Sequence, residues 1–121
     1  MLYIDVNKML VELTRSDSAS IIFSAVDGEG NTYEPAEGDI LTFAVSKKLG
    51  ADPLFSISNT YDGTDTDAFW TIEIQPEHTA EEKFGDYVWD LQLTTSTGTT
   101  TIIGKTDDIS PKFRIWGEVA K

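Results

Sequence analysis

His78 is the only histidine in the sequence, and it is the residue best suited by type to general acid–base chemistry. It lies beside Glu77, Glu81 and Glu82 in a segment whose composition predicts a short helix. No nucleophile motif and no phosphate-binding glycine loop accompanies it. Cysteine is absent, which excludes a cysteine nucleophile and a thiolate zinc site. We therefore interpret His78 as a solvated helix residue and predict that the protein is not an enzyme.

Two acidic segments contain the ligand types that calcium prefers, because hard cations bind clusters of carboxylate oxygens. These residues are Asp62, Asp65 and Asp67 in one segment and Asp27, Glu29 and Asn31 in the other. Neither segment has the spacing of a helix–loop–helix calcium site, and Asp, Asn and Gly are also the usual residues of tight turns. We interpret both segments as turns, predict no metal or cofactor, and keep calcium binding as the alternative.

The sequence carries 21 acidic and 9 basic residues, which gives a formal charge of -12. A chain this acidic repels phosphate groups, so we expect neither nucleic acid nor an anionic membrane as its partner. Four basic residues fall close to the end of the sequence: Lys105, Lys112, Arg114 and Lys121. They indicate either a charge-complementary contact between copies of the chain or edge strands that lysine protects from aggregation.

Arg15 follows a segment that is otherwise apolar and acidic, and it therefore requires a carboxylate partner. Asp90 is one candidate, because it lies between Trp89 and Leu91 and faces away from their apolar stripe. Asp17, in the same turn as Arg15, is the other candidate. We predict that Arg15 pairs with Asp90 or with Asp17 and that this pair fixes the course of the chain.

Trp116 falls on the opposite parity from Phe113 and Ile115, so it should project outward from its strand. An exposed tryptophan is typical of a protein interface. It could equally stack on a sugar or cap one end of the fold. We predict an interface that contains Trp116, Lys112 and Arg114.

Alternation of apolar and polar residues, typical of half-buried strands, dominates the sequence. It predicts strands over 9–14, 19–26, 39–46, 54–58, 68–74, 86–95, 99–104 and 112–119. Asp27 and Gly28 predict a hairpin turn. Pro76 suits the first turn of a helix, which we predict over 76–83.

About eight short strands joined by Gly, Asp and Pro turns predict an all-β fold. The expected architecture is an antiparallel two-sheet, immunoglobulin-like β-sandwich with one short helical turn, and a small closed barrel is the alternative.

The length of 121 residues, without repeats or linkers, predicts a single domain over 1–121, with 1–8 as an N-terminal arm. Polar residues interrupt the first eight positions, so we expect no signal peptide.

Several segments, taken in order, resemble a known family. They are 11–17 (VELTRSD), 27–30 (DGEG), 37–47 (EGDILTFAVSK), 70–80 (WTIEIQPEHTA), 85–93 (GDYVWDLQL) and 111–115 (PKFRI). This order resembles the small N-terminal β-sandwich of upper-baseplate proteins, part of the receptor-binding apparatus of tailed phages and prophages. The resemblance spans about residues 9–119.

The resemblance implies a non-catalytic structural or adaptor protein of a tail baseplate, made in the host cytoplasm and located in the virion. It implies contacts with other tail or baseplate proteins and a homo-oligomer in the assembly. The family's usual Arg-Gly-Asp step is Arg15-Ser16-Asp17 here, so a turn that requires positive φ would be strained. Family members commonly continue into a stalk or receptor-binding part, whereas this sequence stops at Lys121, and we expect an adaptor or accessory role.

One alternative function is open on the fold alone: a bacterial immunoglobulin-like or carbohydrate-binding module. In that case Trp116 or Tyr61 would stack on a sugar.

Overall fold

The computed structural model describes residues 2–5, 7–25, 29–106 and 109–117. Within these ranges the chain forms nine β-strands and two short helices, which confirms the all-β class. The elements are β1 Leu2–Asp5, β2 Leu10–Thr14, β3 Ala19–Ile22, β4 Ile40–Ser46, β5 Pro53–Thr60, α1 Thr66–Trp70, β6 Thr71–Ile74, α2 Pro76–Thr79, β7 Gly85–Thr95, β8 Gly98–Ile103 and β9 Lys112–Trp116. The hairpin turn predicted at Asp27 and Gly28 lies outside the described residues.

Seven strands form one sheet, in the order β1-β2-β9-β7-β4-β5, with β8 also paired to β7. β7 is its longest strand, and β4 runs antiparallel along one edge of it. The other edge of β7 is shared by β9 at residues 85–88 and by β8 at residues 91–95. β1, which falls within the predicted N-terminal arm 1–8, pairs antiparallel with β2 at one end of the sheet.

One pairing differs from the predicted antiparallel arrangement. β2 and β9 are parallel, with Leu10 level with Lys112 and Thr14 level with Trp116. Alternation of apolar and polar residues determines which face of a strand is buried, but it carries no information about the direction of the neighbouring strand. Because nearly the whole chain lies between β2 and β9, no short turn dictates that they run antiparallel.

A second, smaller layer covers one face of this sheet and gives a sandwich-like fold. It consists of the antiparallel pair β3–β6, and α1 and α2 flank β6 along the chain. Phe23, which follows β3, lies with its ring 6.2 Å from Phe43 of β4 and 6.1 Å from Trp89 of β7. The fully or largely buried apolar residues shared by the two layers are Val11, Leu13, Ile21, Leu41, Phe43, Val45, Phe69, Trp70, Ile72, Ile74, Tyr87, Trp89, Leu91, Leu93, Phe113 and Ile115.

The predicted strand over 68–74 begins only at Thr71, because the preceding residues form α1. Asp65 caps α1, its Oδ1 accepting a hydrogen bond from the Ala68 amide at 3.1 Å. Two adjacent residues, Phe69 and Trp70, are both buried, which a helix allows and an alternating strand does not. The helix predicted over 76–83 is likewise shorter, ending at Thr79.

Both helices are short, and in the described ranges no helix has the length and apolar character needed to cross a membrane.

Candidate binding surface on the outer face

The candidate binding surface lies on the face of the seven-stranded sheet that points away from β3 and β6, called here the outer face. On β7 this face presents Asp86, Val88, Asp90 and Gln92, since the alternate residues, from Tyr87 onward, are buried. Two features share it. One is an aromatic patch on β1, β2 and β9, and the other is a groove above β4, β5 and β7.

The aromatic patch consists of Tyr3, Glu12, Arg114 and Trp116. The strand register places Tyr3 level with Glu12, and Glu12 level with Arg114. The two aromatic side chains are 51% and 49% exposed, which is high for residues of their size. Tyr3, Glu12 and Trp116, together with Leu2, line a surface recess of about 290 Å³.

Hydrogen bonds hold the polar groups of the patch in place. The Trp116 indole Nε1 donates to Glu12 Oε1 at 2.8 Å, and the Arg114 guanidinium lies 5.7 Å from the Trp116 ring. Arg114 also donates twice to Asp86, from Nε to Oδ1 at 2.6 Å and from Nη2 to Oδ2 at 3.2 Å. These bonds lower the pKa of Asp86 and raise that of Arg114. The patch is therefore an ordered surface, because the Arg114 guanidinium lies between Asp86 and the Trp116 ring.

The three predicted interface residues share this face of β9. Trp116 projects outward, as its parity predicts, and Arg114 lies two residues before it on the same side. Lys112 is exposed and level with Val88 of β7.

β9 lies between β2 and β7, so the interpretation of Lys112 and Arg114 as edge-strand protection is wrong. The contact between copies remains a prediction, and Lys121 lies outside the described residues.

Arg15 and Asp90 are not brought together. The Arg15 amide bonds the Trp116 carbonyl at 2.8 Å, its Nη1 donates to the Glu82 carbonyl, and its guanidinium lies 4.4 Å from the Phe84 ring centre. Arg15 thus lies beside Trp116 at the end of β9, and the preceding residue of β9, Ile115, pairs with Gly85 of β7. Asp90 lies five residues farther along β7, about 16 Å away at the rise of a strand.

Arg15 and Asp17 lie on either side of Ser16 in one turn, which is closed by a bond from the Asp17 amide to the Thr14 carbonyl. Their pairing stays a prediction. Ser16 has a φ of +67°, so the left-handed backbone expected at this step is present. Its amide donates to Thr79 Oγ1 at 2.8 Å, and Thr79 is fully buried in α2. The turn after β2 is thereby hydrogen-bonded to α2.

The second feature, the outer groove, is a concave region of about 590 Å³ over the centre of the sheet. Its floor is made of small side chains, Ala44 and Ser46 of β4 and Ser56 of β5, together with Asp90. Its walls come from residues 48–51 on one side and from residues 104–105 and 110–111 on the other. Sequence reasoning missed the groove, although small residues at the outward positions of 39–46 were a signal that this face leaves room for another molecule.

Asp90 is the carboxylate of this groove. Within the described ranges it has no hydrogen bond or ion pair, and burial alone accounts for the raised pKa of its carboxyl group. Its main-chain position is level with Ala44, whose methyl group offers no polar partner. Asp90 is thus a partly buried acid that the described part of the fold leaves without a cation.

The His78 side chain is partly buried and contacts other residues of the fold, whereas the sequence predicted a solvated residue. Its Nδ1 accepts a hydrogen bond from the Gln75 amide at 2.8 Å, which closes the start of α2. Its ring stacks on Phe55 with centroids 5.0 Å apart. Both interactions give His78 a structural role at the start of α2.

Two carboxylates of the 62–67 segment accept hydrogen bonds from their own turn. Asp62 Oδ1 accepts bonds from the Thr64 amide and hydroxyl, which lower the pKa of Asp62, and Asp65 caps α1. In the part of the chain that the structure describes, no group of three or more acids or histidines is placed to hold a metal ion; Asp27 lies outside that part. Tyr61, the other predicted sugar-stacking residue, packs its ring edge-on against Phe69 at 5.6 Å.

Comparison with known proteins adds no family to these observations: no protein-family model matches the chain, and no curated protein matches it as a relative.

Proposed function

We propose that the protein is a non-catalytic structural or adaptor subunit of a phage or prophage tail baseplate. In this role it is made in the host cytoplasm, is incorporated in the virion and binds other tail or baseplate proteins, with several copies in the assembly. The resemblance of its ordered sequence segments to upper-baseplate β-sandwiches supports the proposal. The all-β, sandwich-like fold agrees with that resemblance.

The observation that carries the proposed mode of action is the aromatic patch. Trp, Tyr and Arg are the residue types most enriched among those that dominate the binding energy of protein interfaces. Trp116, Tyr3 and Arg114 lie together on an outer face, and their hydrogen bonds fix two of them before any partner arrives. A surface that is already ordered loses little side-chain entropy when it binds.

A direct test is co-purification with the products of neighbouring genes. The tagged chain is co-expressed with each of them, and stable complexes are identified by size-exclusion chromatography with light scattering. We expect a complex with at least one tail protein, and we expect Trp116→Ala to weaken it at least tenfold, about 1.4 kcal/mol or more.

The control is Ile22→Ala, which removes a large side chain that is 77% exposed on β3, in the other layer. It should leave the complex intact. A chain that stays monomeric at high concentration and binds none of these proteins would contradict the adaptor proposal. Equal losses in both variants would show that the aromatic patch is not the interface.

A carbohydrate-binding module is the second candidate, favoured by the recess between Tyr3 and Trp116. Aromatic rings beside fixed hydrogen-bonding groups, here Glu12 and Arg114, form the type of small polar and apolar site that orients a ligand. A glycan array discriminates between the two candidates: binding that Trp116→Ala abolishes would favour this module.

A further inference from the structure

β5 lies at the end of the seven-stranded sheet, and only one of its two edges is paired. β4 bonds that edge, and among the described residues no backbone hydrogen bond reaches the other edge, called here the free edge. Proteins commonly protect such edges with lysine or other charged residues, yet the eight residues of Pro53–Thr60 include no charged one. The free edge is therefore able to accept a further strand.

The β4–β5 ladder determines which backbone groups point to the free edge. One residue beyond its last pair, the Tyr61 amide donates to the Asp39 carbonyl at 2.8 Å. Hydrogen-bonded pairs alternate along an antiparallel ladder, so the amides and carbonyls of Ser56, Ser58 and Thr60 point away from β4. A row of backbone donors and acceptors with this spacing selects an extended polypeptide strand.

The end of β5 carries negative charge, in a group of residues called here the acidic end: Glu37, Asp62 and Asp65. Asp62 and Asp65 line a surface recess of about 250 Å³ together with the last three residues of β5, and the lining includes no lysine or arginine. Glu37 lies beside the same loop, because a Cβ atom placed on Gly63 would be 3.8 Å from its Oε2. The recess also shows that solvent reaches the strand at this end.

The start of β5 has the opposite charge. Lys47 and Lys48 follow Ser46 of β4, which pairs with the first residue of β5. Asp52 offsets one of the two charges, so the loop over 47–52, called here the basic loop, is net positive. The same loop contains Leu49, whose side chain is 61% exposed. The free edge is thus positive at its start and negative at its end.

We propose that two copies of this chain pair antiparallel through their free edges, related by a two-fold axis. The axis places the basic loop of each copy beside the acidic end of the other, so the charge match occurs twice. With Ser58 opposite its counterpart, Ser56 lies opposite Thr60, and all the outward backbone groups of these residues find partners. Leu49 of each copy then has the recess of the other, with Ala68 and Phe69 in its lining, as an apolar contact.

The opposite charges at the two ends are what select a second copy. A strand of uniform charge would meet repulsion at one end of the free edge, whereas an antiparallel copy matches both ends. The pairing leaves the aromatic patch open, because β1, β2 and β9 lie on the other side of β7 from β5. The inference holds whether or not the protein is a baseplate subunit.

Charge reversal at one end at a time tests the pairing, with sedimentation velocity of the full chain up to millimolar concentration as the measurement. We expect a dimer whose dissociation constant rises at least tenfold in Lys47→Glu/Lys48→Glu and in Glu37→Lys/Asp62→Lys. An equimolar mixture of these two variants should restore the affinity of the unaltered chain, because each altered end then meets its opposite.

The second of these variants also separates local from overall charge. It reduces the net negative charge of the chain, formally -12, so overall repulsion predicts a tighter dimer where the proposal predicts a weaker one. The matched control is Glu77→Lys/Glu81→Lys, which makes the same change of charge in and after α2. It should dimerise at least as tightly as the unaltered chain.

Hydrogen exchange of the unaltered chain identifies the paired surface. The amides of Ser56, Ser58 and Thr60 should exchange more slowly as the dimer forms, and Trp116→Ala should leave the dimer intact. The proposal is overturned if the chain stays monomeric, if these amides gain no protection, or if mixing the two variants does not restore the dimer. A dimer as tight in Glu37→Lys/Asp62→Lys as in the control, or one that Trp116→Ala abolishes, would also overturn it.

Discussion

At the scale of single residues, Ser16 shows a conflict between side chain and backbone. Its φ of +67° lies in the left-handed region, where a Cβ atom is crowded by its own backbone. The conformation is retained because the Ser16 amide bonds the buried hydroxyl of Thr79, and because the turn returns the chain from β2 to β3. The strain is therefore offset by contacts with another element.

Ser16→Gly should stabilise the protein. Relief of left-handed strain is worth about 1–2 kcal/mol, and the larger entropy that glycine loses on folding offsets about 0.5–1 kcal/mol of it. We expect a net gain of up to about 1.5 kcal/mol in the free energy of unfolding, measured in urea. Ser18→Gly, whose φ is not positive, is the control and should lose stability; a loss in both variants would contradict the argument.

Asp90→Asn should also raise the stability, but only where Asp90 is charged. Burial raises the pKa of this carboxyl above its ordinary value of 3.8, so the folded state disfavours its charged form. The destabilisation is absent below the unfolded pKa and complete above the folded one. By calorimetry, the Tm of Asp90→Asn should exceed that of the unaltered chain at about pH 7 and equal it near pH 3.

Asp86→Asn is the counterpart with the opposite sign. The hydrogen bonds from Arg114 lower the pKa of Asp86, so its contribution to stability is present above pH 3.8 and is lost as the pH falls through its folded pKa. This variant should therefore melt at a lower temperature at neutral pH. Identical pH profiles for the two variants would show that the cation of Arg114 makes no difference between them.

At the scale of elements, the side chain of Asn59 links the two layers by hydrogen bonds. The Asn59 Nδ2 of β5 donates to the carbonyls of Ala68, Phe69 and Thr71, at 3.3, 3.2 and 2.7 Å. These carbonyls lie where α1 ends and β6 begins, a point at which helical hydrogen bonds stop. The asparagine thus helps the chain change from helix to strand at Thr71.

Asn59→Ala should lower the free energy of unfolding by about 2 kcal/mol, because the partly buried carbonyls of Phe69 and Thr71 lose the donor that the Asn59 amide supplies. Ser58→Ala is the control: Ser58 is exposed, and its hydroxyl contacts only the Thr42 hydroxyl among the described residues, so we expect a change within about 0.5 kcal/mol. Chemical denaturation measures both. A loss no larger in Asn59→Ala than in the control would mean that solvent replaces the amide without cost.

At the scale of the whole molecule, the alternation in the sequence predicted which residues form the core. Tyr87, Trp89, Leu91 and Leu93 are buried on one face of β7, as their parity requires. The same alternation placed Trp116 outside. It did not reveal α1, because Asp65 and the residues after it read as a polar turn followed by a strand. Nor could it align β2 with β9, since a parallel pair has no connecting turn to signal it.

The candidate sites, too, were predicted from the sequence only in part. Period-two patterning is local, so the sequence by itself determined the all-β class, the buried faces of the strands and the outward position of Trp116. Only the tertiary structure decided that Arg114 pairs with Asp86, that Arg15 lies far from Asp90, and that Asp90 forms the floor of a groove. The reason is physical: these relations depend on strand order and register, which bring together residues distant in the chain.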